Sequence, residues 1–142
     1  MRIVDANVLL YAVNRSTAHH PRARSWLDGA LAGQETIGFS WSVLLAFVRL
    51  ATHPAVFARP LTSEEAFAIV RAWLAQPSAV IVDPSPRHVD LVAGFLAEAG
   101  TAGNLVNDAH LAALAIEHDA ALVSFDTDFA RFAGLRREVP AP

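Results

Sequence analysis

Short β-branched runs alternate with helix-length stretches along this chain, and that alternation leaves few architectures open to it. Ile3-Val4, Thr36-Ile37-Gly38-Phe39, Ala79-Val80-Ile81-Val82 and Ala121-Leu122-Val123-Ser124-Phe125 read as strands. The run at 79–82 has the composition of a buried parallel strand, with Pro84 and Pro86 closing it off. Between the strands the apolar period is helical. Ala23, Trp26, Leu27, Ala30 and Leu31 form one stripe behind Pro21, and Ser40 is placed to cap an apolar helix over residues 41–52. Thr62 and Glu65 form a capping box ahead of Ala66, Phe67, Val70, Trp73 and Leu74. Val89, Val92, Leu96 and Ala99 mark a further helix, and residues 108–118 are apolar on nearly every side, which implies packing in several directions.

Strands separated by helices must pair in parallel through right-handed crossovers. The expectation is an α/β fold: a single three-layer α/β/α domain over residues 1–142 with a short parallel sheet. Its size suffices for a core without staples, and with no cysteine neither a disulfide nor a cysteine-held zinc is available. The longest fully apolar runs, at 8–13, 43–48 and 111–116, fall far short of the ~20 residues of a transmembrane helix, so no membrane partner is expected. Asp5 stands where a signal peptide would be apolar, and the expected location is the cytoplasm. Net charge is −3, which speaks against a general polyanion binder. All eleven basic residues are arginine, however, the side chain best suited to forked phosphate contacts.

Ligands of such sheets bind beyond the carboxyl ends of the strands. Three acidic positions fall there: Asp5 after the first strand, Asp126 with Asp128 after the last, and Asp108 at the head of the apolar helix. Two carboxylates ~4 Å apart repel by about 4 kcal/mol at an effective dielectric of ~20, so a cluster must hold protons or a cation. Aspartate oxygens without cysteine or paired-histidine spacing suit Mg²⁺ or Mn²⁺, and the matching chemistry is phosphodiester hydrolysis. Each aspartate taken alone also reads as a plain helix or turn cap, and capping does not exclude metal binding. His110 and His118 lie two turns apart, too far for one ion, and read as structural; His19 and His20 read as loop or cap residues. Arg49 either anchors a carboxylate near the site or snorkels at the surface. The aromatic residues fall on helical stripes and read as core, not as platforms for nucleobases.

Four segments carry a resemblance over nearly the whole chain, in order: Ile3-Val4-Asp5-Ala6-Asn7-Val8-Leu9-Leu10-Tyr11-Ala12, then Leu44-Leu45-Ala46-Phe47-Val48-Arg49-Leu50-Ala51-Thr52-His53-Pro54, then Gly103-Asn104-Leu105-Val106-Asn107-Asp108-Ala109-His110-Leu111-Ala112-Ala113-Leu114-Ala115, then Leu122-Val123-Ser124-Phe125-Asp126-Thr127-Asp128-Phe129-Ala130-Arg131-Phe132. Together they resemble the PIN-domain ribonucleases, and among these the VapC toxins of bacterial toxin–antitoxin pairs. The resemblance implies a PIN-like fold and a Mg²⁺- or Mn²⁺-dependent endoribonuclease, inhibited by a cognate VapB-type antitoxin and assembled as a homodimer. It also implies that Asp5, Asp108 and Asp126 are metal ligands, directly or through water, that Asp128 is an auxiliary acid, and that Asn7 and Ser124 support the ligands by hydrogen bonds. One position departs from the pattern: many relatives carry a glutamate one turn before Arg49, and here that place holds Ala46.

Three readings follow. The leading one is the toxin nuclease, its acidic pocket a target for an inserted antitoxin Arg or Lys, with Arg22, Arg24, Arg131, Arg136 and Arg137 as candidates for holding RNA phosphate. The second, motivated by Ala46, is a catalytically weakened RNA-binding or interaction module of the same fold. The third takes Asp126 and Asp128 as nucleophile and acid of an aspartyl-phosphate phosphatase; it ranks last because that chemistry needs a lysine and the sequence has none.

Overall fold

The structure is a computed structural model that describes Met1–Pro142. Strand β1 (Arg2–Val4) stops at Asp5, whose extended backbone and side chain cap helix α1 (Ala6–Val13). Helix α2 (His20–Ala32) opens with Pro21 in its first turn and ends at Gly33. Strand β2 (Ile37–Phe39) runs into Ser40, whose Oγ accepts the Val43 amide at 3.2 Å and starts α3 (Trp41–Ala51). The Thr62/Glu65 box opens α4 (Ser63–Leu74), each side chain accepting the other's amide at 3.1 Å. Then come β3 (Ala79–Ile81), α5 (His88–Ala99, closed by Gly100 at φ 69°), α6 (Leu105–Glu117), β4 (Ala121–Val123), a 3₁₀ turn (Thr127–Arg131) and β5 (Arg137–Glu138).

All five strands are parallel, in the order β3-β2-β1-β4-β5, with Ile3 of β1 paired to Gly38 on one side and to Leu122 on the other. The first two crossovers step the same way, from β1 to β2 and on to β3. The third reverses and lands on the far side of β1. Right-handed connections therefore put α1–α4 on one face and α5–α6 on the other, which is the expected three-layer α/β/α arrangement. The helix contacts agree: α1 packs on α2 and α3, α3 on α4, and α5 on α6. Helices on both faces explain why Ile3, Val4, Leu122 and Val123, although consecutive along their strands, are all buried. The reversal leaves a crevice beyond the carboxyl ends of β1 and β4, where open α/β sheets take their ligands. No helix is long and apolar enough to cross a membrane.

Four local expectations are corrected. The run at 79–82 is parallel, as expected, but not buried throughout: β3 lies at the sheet edge with Val80 exposed, and only Val82 beyond it is buried, because one side of the strand has no neighbour. Strand β5 was not expected, since Arg137 and Glu138 have no apolar run; it exists because the Arg136 and Glu138 carbonyls accept amides from Leu122 and Ser124 at the edge of β4. Helix α6 begins at Leu105, so Asp108 sits within its first turn instead of at its head. In α5 the anchor is Phe95, packed edge-on to Phe132 at 5.1 Å, while Val89 of the expected stripe is 70% exposed.

Gly38 lies on β2 between β1 and β3, and a Cβ there would stand 2.9 Å from Val82 Cγ1 and 3.0 Å from Ile3 Cγ1, both stiff branched side chains. Gly94, exposed in mid-α5, has nothing within 4 Å. Gly38→Ala is expected to lower unfolding free energy by about 1–3 kcal/mol through overpacking, and Gly94→Ala to raise it by up to about 1 kcal/mol through helix propensity. Urea titrations of both variants at constant m-value check the two opposite signs.

Candidate active site

The site starts from the joint between β1 and β4. The Asp5 amide donates to the Val123 carbonyl at 2.9 Å, which places the Asp5 side chain at the crevice. Its Oδ1 accepts the Ala6 amide at 2.7 Å; its Oδ2 accepts the Ser124 hydroxyl at 2.7 Å and the Asn7 amide at 3.2 Å. Asn7 also donates to Ser124 Oγ at 3.1 Å and accepts the Phe125 amide at 3.1 Å, while Ser124 Oγ takes the Asp126 amide at 3.0 Å. Asn7 and Ser124 thus bind β1, the head of α1 and the loop after β4 into one unit. Burial pushes the Asp5 carboxyl above the usual range, the Ser124 and Ala6 hydrogen bonds work against that, and Asp126 adds to it. Of a carboxylate's roughly four lone-pair sites three are in use, so about one remains free.

Asp108 and Asn107 bring the first turn of α6 to the same place. Asp5 and Asp108 line one cavity of about 580 Å³, opposite a wall of α3 built from Ser42, Val43, Leu45, Ala46 and Arg49. Asp108 is pushed up to about 6, first by partial burial and then by the charges of Asp5, Asp126 and Asp128, with Arg131 opposing. Unlike Asp5, Asp108 is no cap: the N-cap position of α6 is Asn104. Asp126 does cap, its Oδ1 accepting the Asp128 amide at 2.8 Å, and it lines a small neighbouring pocket with Ser124, Phe129 and Arg137. Four acids therefore share one electrostatic neighbourhood, and two of them share a cavity.

Whether this donor set suits a divalent ion is a matter of chemistry and room. No three His, Asp or Glu side chains form a ready-made cage for a metal. A hard ion such as Mg²⁺ does not need one: it uses one or two carboxylates and completes its octahedron with water and substrate phosphate. Asp5 and Asp108, all-oxygen donors facing an open cavity, fit that requirement. Ala46 lines the same cavity, so α3 contributes no carboxylate to it at this place.

Of the two readings of Arg49, carboxylate anchor or surface arginine, the structure has the second: the residue is exposed. It anchors no carboxylate and takes part in none of the ion pairs of the structure, although it lines the acidic cavity. Ala46, one turn before it, offers no partner on the helix. Among the arginines expected to hold phosphate, three are already engaged. Arg22 donates to the Pro140 carbonyl and lies over the Phe125 ring at 5.4 Å, Arg24 pairs with Asp28 at 3.4 Å, and Arg136 donates to Asp119. Arg137 is in β5, and Arg131 stands near enough to the acids to oppose the rise at Asp108.

The histidines lie in structural contacts. His110 Nδ1 meets His88 Nε2 at 2.8 Å, and His88 Nδ1 meets Glu117 at 2.7 Å, which ties α5 to α6. Burial and His88 lower the His110 pKa, and the Ser85 and His88 hydrogen bonds hold Glu117 below the usual carboxylate range against its burial. His118 contacts the Asp83 carbonyl and His20 the Tyr11 carbonyl, and His19 packs on Tyr11 and Phe125. Two features lay outside the expectations. The Ser85–Glu117–His88–His110 chain joins residues with no shared period. Trp41, read with the other aromatics as core, is 49% exposed beside the cavity wall; its helical spacing is compatible with either placement.

An acid-lined crevice at the reversal point of a parallel α/β sheet, furnished with oxygen donors for a hard cation, defines a class of hydrolytic site. The chain belongs to the PIN domain family, whose model matches residues 2–135. It is 59% identical over 140 residues to a protein named Ribonuclease VapC37 from Mycobacterium tuberculosis, covering 99% of this chain and 97% of that one. Ribonuclease VapC33 of the same species is 45% identical over 136 residues, covering 96% and 95%. The fold is shared with VapBC2 from Rickettsia felis, solved bound to a promoter DNA fragment, at TM-score 0.71 and 22% identity over 97% of each chain.

A carboxyl group whose pKa is higher in the folded chain than in the unfolded one keeps its proton in the folded state while the unfolded state releases it. Stability is thus lost as pH rises from about 3.8 to about 6 and stays lost above that. In chelator, Asp108→Asn is expected to stabilise the protein at pH 7.5 by on the order of 1 kcal/mol, discounted for the exposure of the group. The gain should vanish near pH 3.5. Thermal melts of both proteins across that range check it, and a gain independent of pH contradicts it.

Proposed function

We propose that this chain is a metal-dependent endoribonuclease, the toxin of a type II toxin–antitoxin pair, working as a single cytoplasmic nuclease domain over residues 1–142. The observation that carries the proposal is the shared cavity: Asp5 from the β1–α1 junction and Asp108 from α6 face an unpaired Arg49 on α3. The names of the relatives, ribonucleases of the VapC group, support RNA as the substrate. Solved VapBC complexes of the same fold support a VapB-type antitoxin as partner. A homodimer is part of the same reading.

In this proposal Asp5 and Asp108 hold Mg²⁺ or Mn²⁺, with Asp126 acting through water and Asp128 adding negative charge nearby. The bound ion would supply an acidified, oriented water and offset charge growing on the phosphate. The protein's own part is positional. Ser124 and Asn7 fix the Asp5 carboxylate so that its free lone pair is aimed into the cavity, and such supporting hydrogen bonds commonly matter 10–100-fold. Arg49 supplies a permanent positive charge on the wall facing the acids, where a phosphodiester would enter. An antitoxin Arg or Lys inserted between the carboxylates would satisfy the same charges and displace the ion.

Ala46 favours a second reading, in which the missing carboxylate weakens metal affinity and leaves an RNA-binding fold with little turnover. The two separate by metal titration. RNA cleavage that rises with Mn²⁺ and disappears in chelator is expected for the nuclease, whereas RNA retention indifferent to metal marks the module. Asp5→Asn and Asp108→Asn should each cut cleavage by about 10²-fold or more, and Ser124→Ala by about 10–100-fold. Full cleavage by either aspartate variant, purified free of contaminating nuclease, refutes the assignment.

A further inference from the structure

Trp41, Leu45 and Arg49 recur every four residues on α3 and so lie in one row along the helix. Leu45 and Arg49 line the cavity that holds Asp5 and Asp108; Trp41 continues the row, next to Ser42, which lines it too. Trp41 and Leu45 are 49% and 53% exposed. On the opposite side of the same helix Phe47 is buried edge-on against Trp73 at 4.8 Å, so the core takes α3 by its other face. The backbone beneath Trp41 is held firmly: Ser40 Oγ accepts the Val43 amide at 3.2 Å and meets Ser42 Oγ at 2.8 Å. Eight residues of helix put the Trp41 and Arg49 backbones about 12 Å apart.

An exposed indole, an exposed leucine and an unpaired guanidinium in one row beside an acidic cavity ask for a ligand that is both flat and anionic. An apolar protein segment would cover Trp41 and Leu45 but offer no bonded partner to Arg49, which makes no ion pair. A single RNA strand carries a π-face and a phosphate in every nucleotide, and single-strand binders combine these two contacts, aromatic stacking and cationic tracking of the backbone. We infer that this face of α3 is the substrate-binding wall: Trp41 stacks on a base of single-stranded RNA beside the cleavage point, Leu45 packs against its edge, and Arg49 holds a phosphate at the cavity. Trp41 is thereby a positioning residue, and stacking of this kind accepts any base. The inference rests on the ribonuclease reading and deepens it.

The test is steady-state cleavage of a fluorescein-labelled single-stranded RNA by the native chain in Mn²⁺, with the same RNA carrying one abasic site as comparison. Trp41→Ala is expected to raise KM about 5–150-fold with kcat unchanged, the range that corresponds to losing one base stack. Trp41→Phe should recover most of it. On RNA made abasic at the stacked position, found by moving the abasic site along the strand, native and Trp41→Ala chains should converge. Arg49→Gln should make the log KM against log salt slope shallower by about 0.7, one phosphate contact on a single strand. Unchanged KM in Trp41→Ala, with the native chain active, overturns the inference and leaves the nuclease intact. A shift of Trp41→Ala to a smaller oligomer in light scattering, with KM unchanged per folded subunit, assigns the face to a second copy and also overturns it. A native chain that cleaves no RNA at any Mn²⁺ concentration removes the ribonuclease reading and this inference with it.

Discussion

The hydrogen-bonded joint between the carboxyl ends of β1 and β4 is the constraint on which the rest of the site depends. Parallel pairing of these strands brings Ser124 alongside the Asp5 carboxylate, 119 positions away in sequence, and Asn7 closes the triangle from the first turn of α1. A buried carboxylate is costly unless each oxygen has a donor. Here the Ala6 amide, the Ser124 hydroxyl and the Asn7 amide supply donors without taking every lone pair. The same contacts that make burial of Asp5 tolerable also fix its position at the crevice, so local stability and the placement of the carboxylate come from one arrangement.

Around that joint the charges are deliberately uncompensated on one side. Asp108 has its pKa raised to about 6, first by its partial burial and then by the three other acids near it, and Arg131 only partly offsets the rise. The α3 wall contributes Arg49 but, at Ala46, no fourth acid. The result is a cavity with a negative floor and a positive wall, held in a state less stable than a neutral one would be. That trade of stability for a charged site is common in functional crevices. It also distinguishes this chain from a site with a carboxylate at position 46: less negative charge to attract an ion, and an arginine free to meet the substrate.

Features that are local in the chain were legible in its letters. The Thr62/Glu65 box, the Ser40 cap and the strand-ending Asp5 depend on contacts within three residues, and the structure has each. The alternation of strands and helices sufficed for the parallel sheet and hence for the crevice. What depends on distant partners was not legible. Arg137 and Glu138 become a strand only because β4 offers an open edge, and Arg22 is drawn from phosphate binding by the Pro140 carbonyl far along the chain. β-Branched residues mark 79–82 as a strand but do not say that it lies at an edge. A tryptophan on a helical stripe reads alike whether the stripe faces core or water, which is why Trp41 was missed. The acids at 5, 108 and 126 could be named from position alone, whereas the division between a shared cavity for two and a neighbouring pocket for the third required the fold.

Asp5 and Asp108, far apart in sequence, are proposed to hold one divalent ion between them. Titrating ¹⁵N-labelled protein with Mn²⁺ and recording amide line-broadening tests it directly, because the paramagnetic ion marks every residue around it without reference to catalysis. Broadening is expected to begin together at residues 5–7, 107–109 and 124–126 and to be lost in the Asp5→Asn, Asp108→Asn double variant. Broadening centred elsewhere, or unchanged in that variant, means that these two aspartates do not hold the ion.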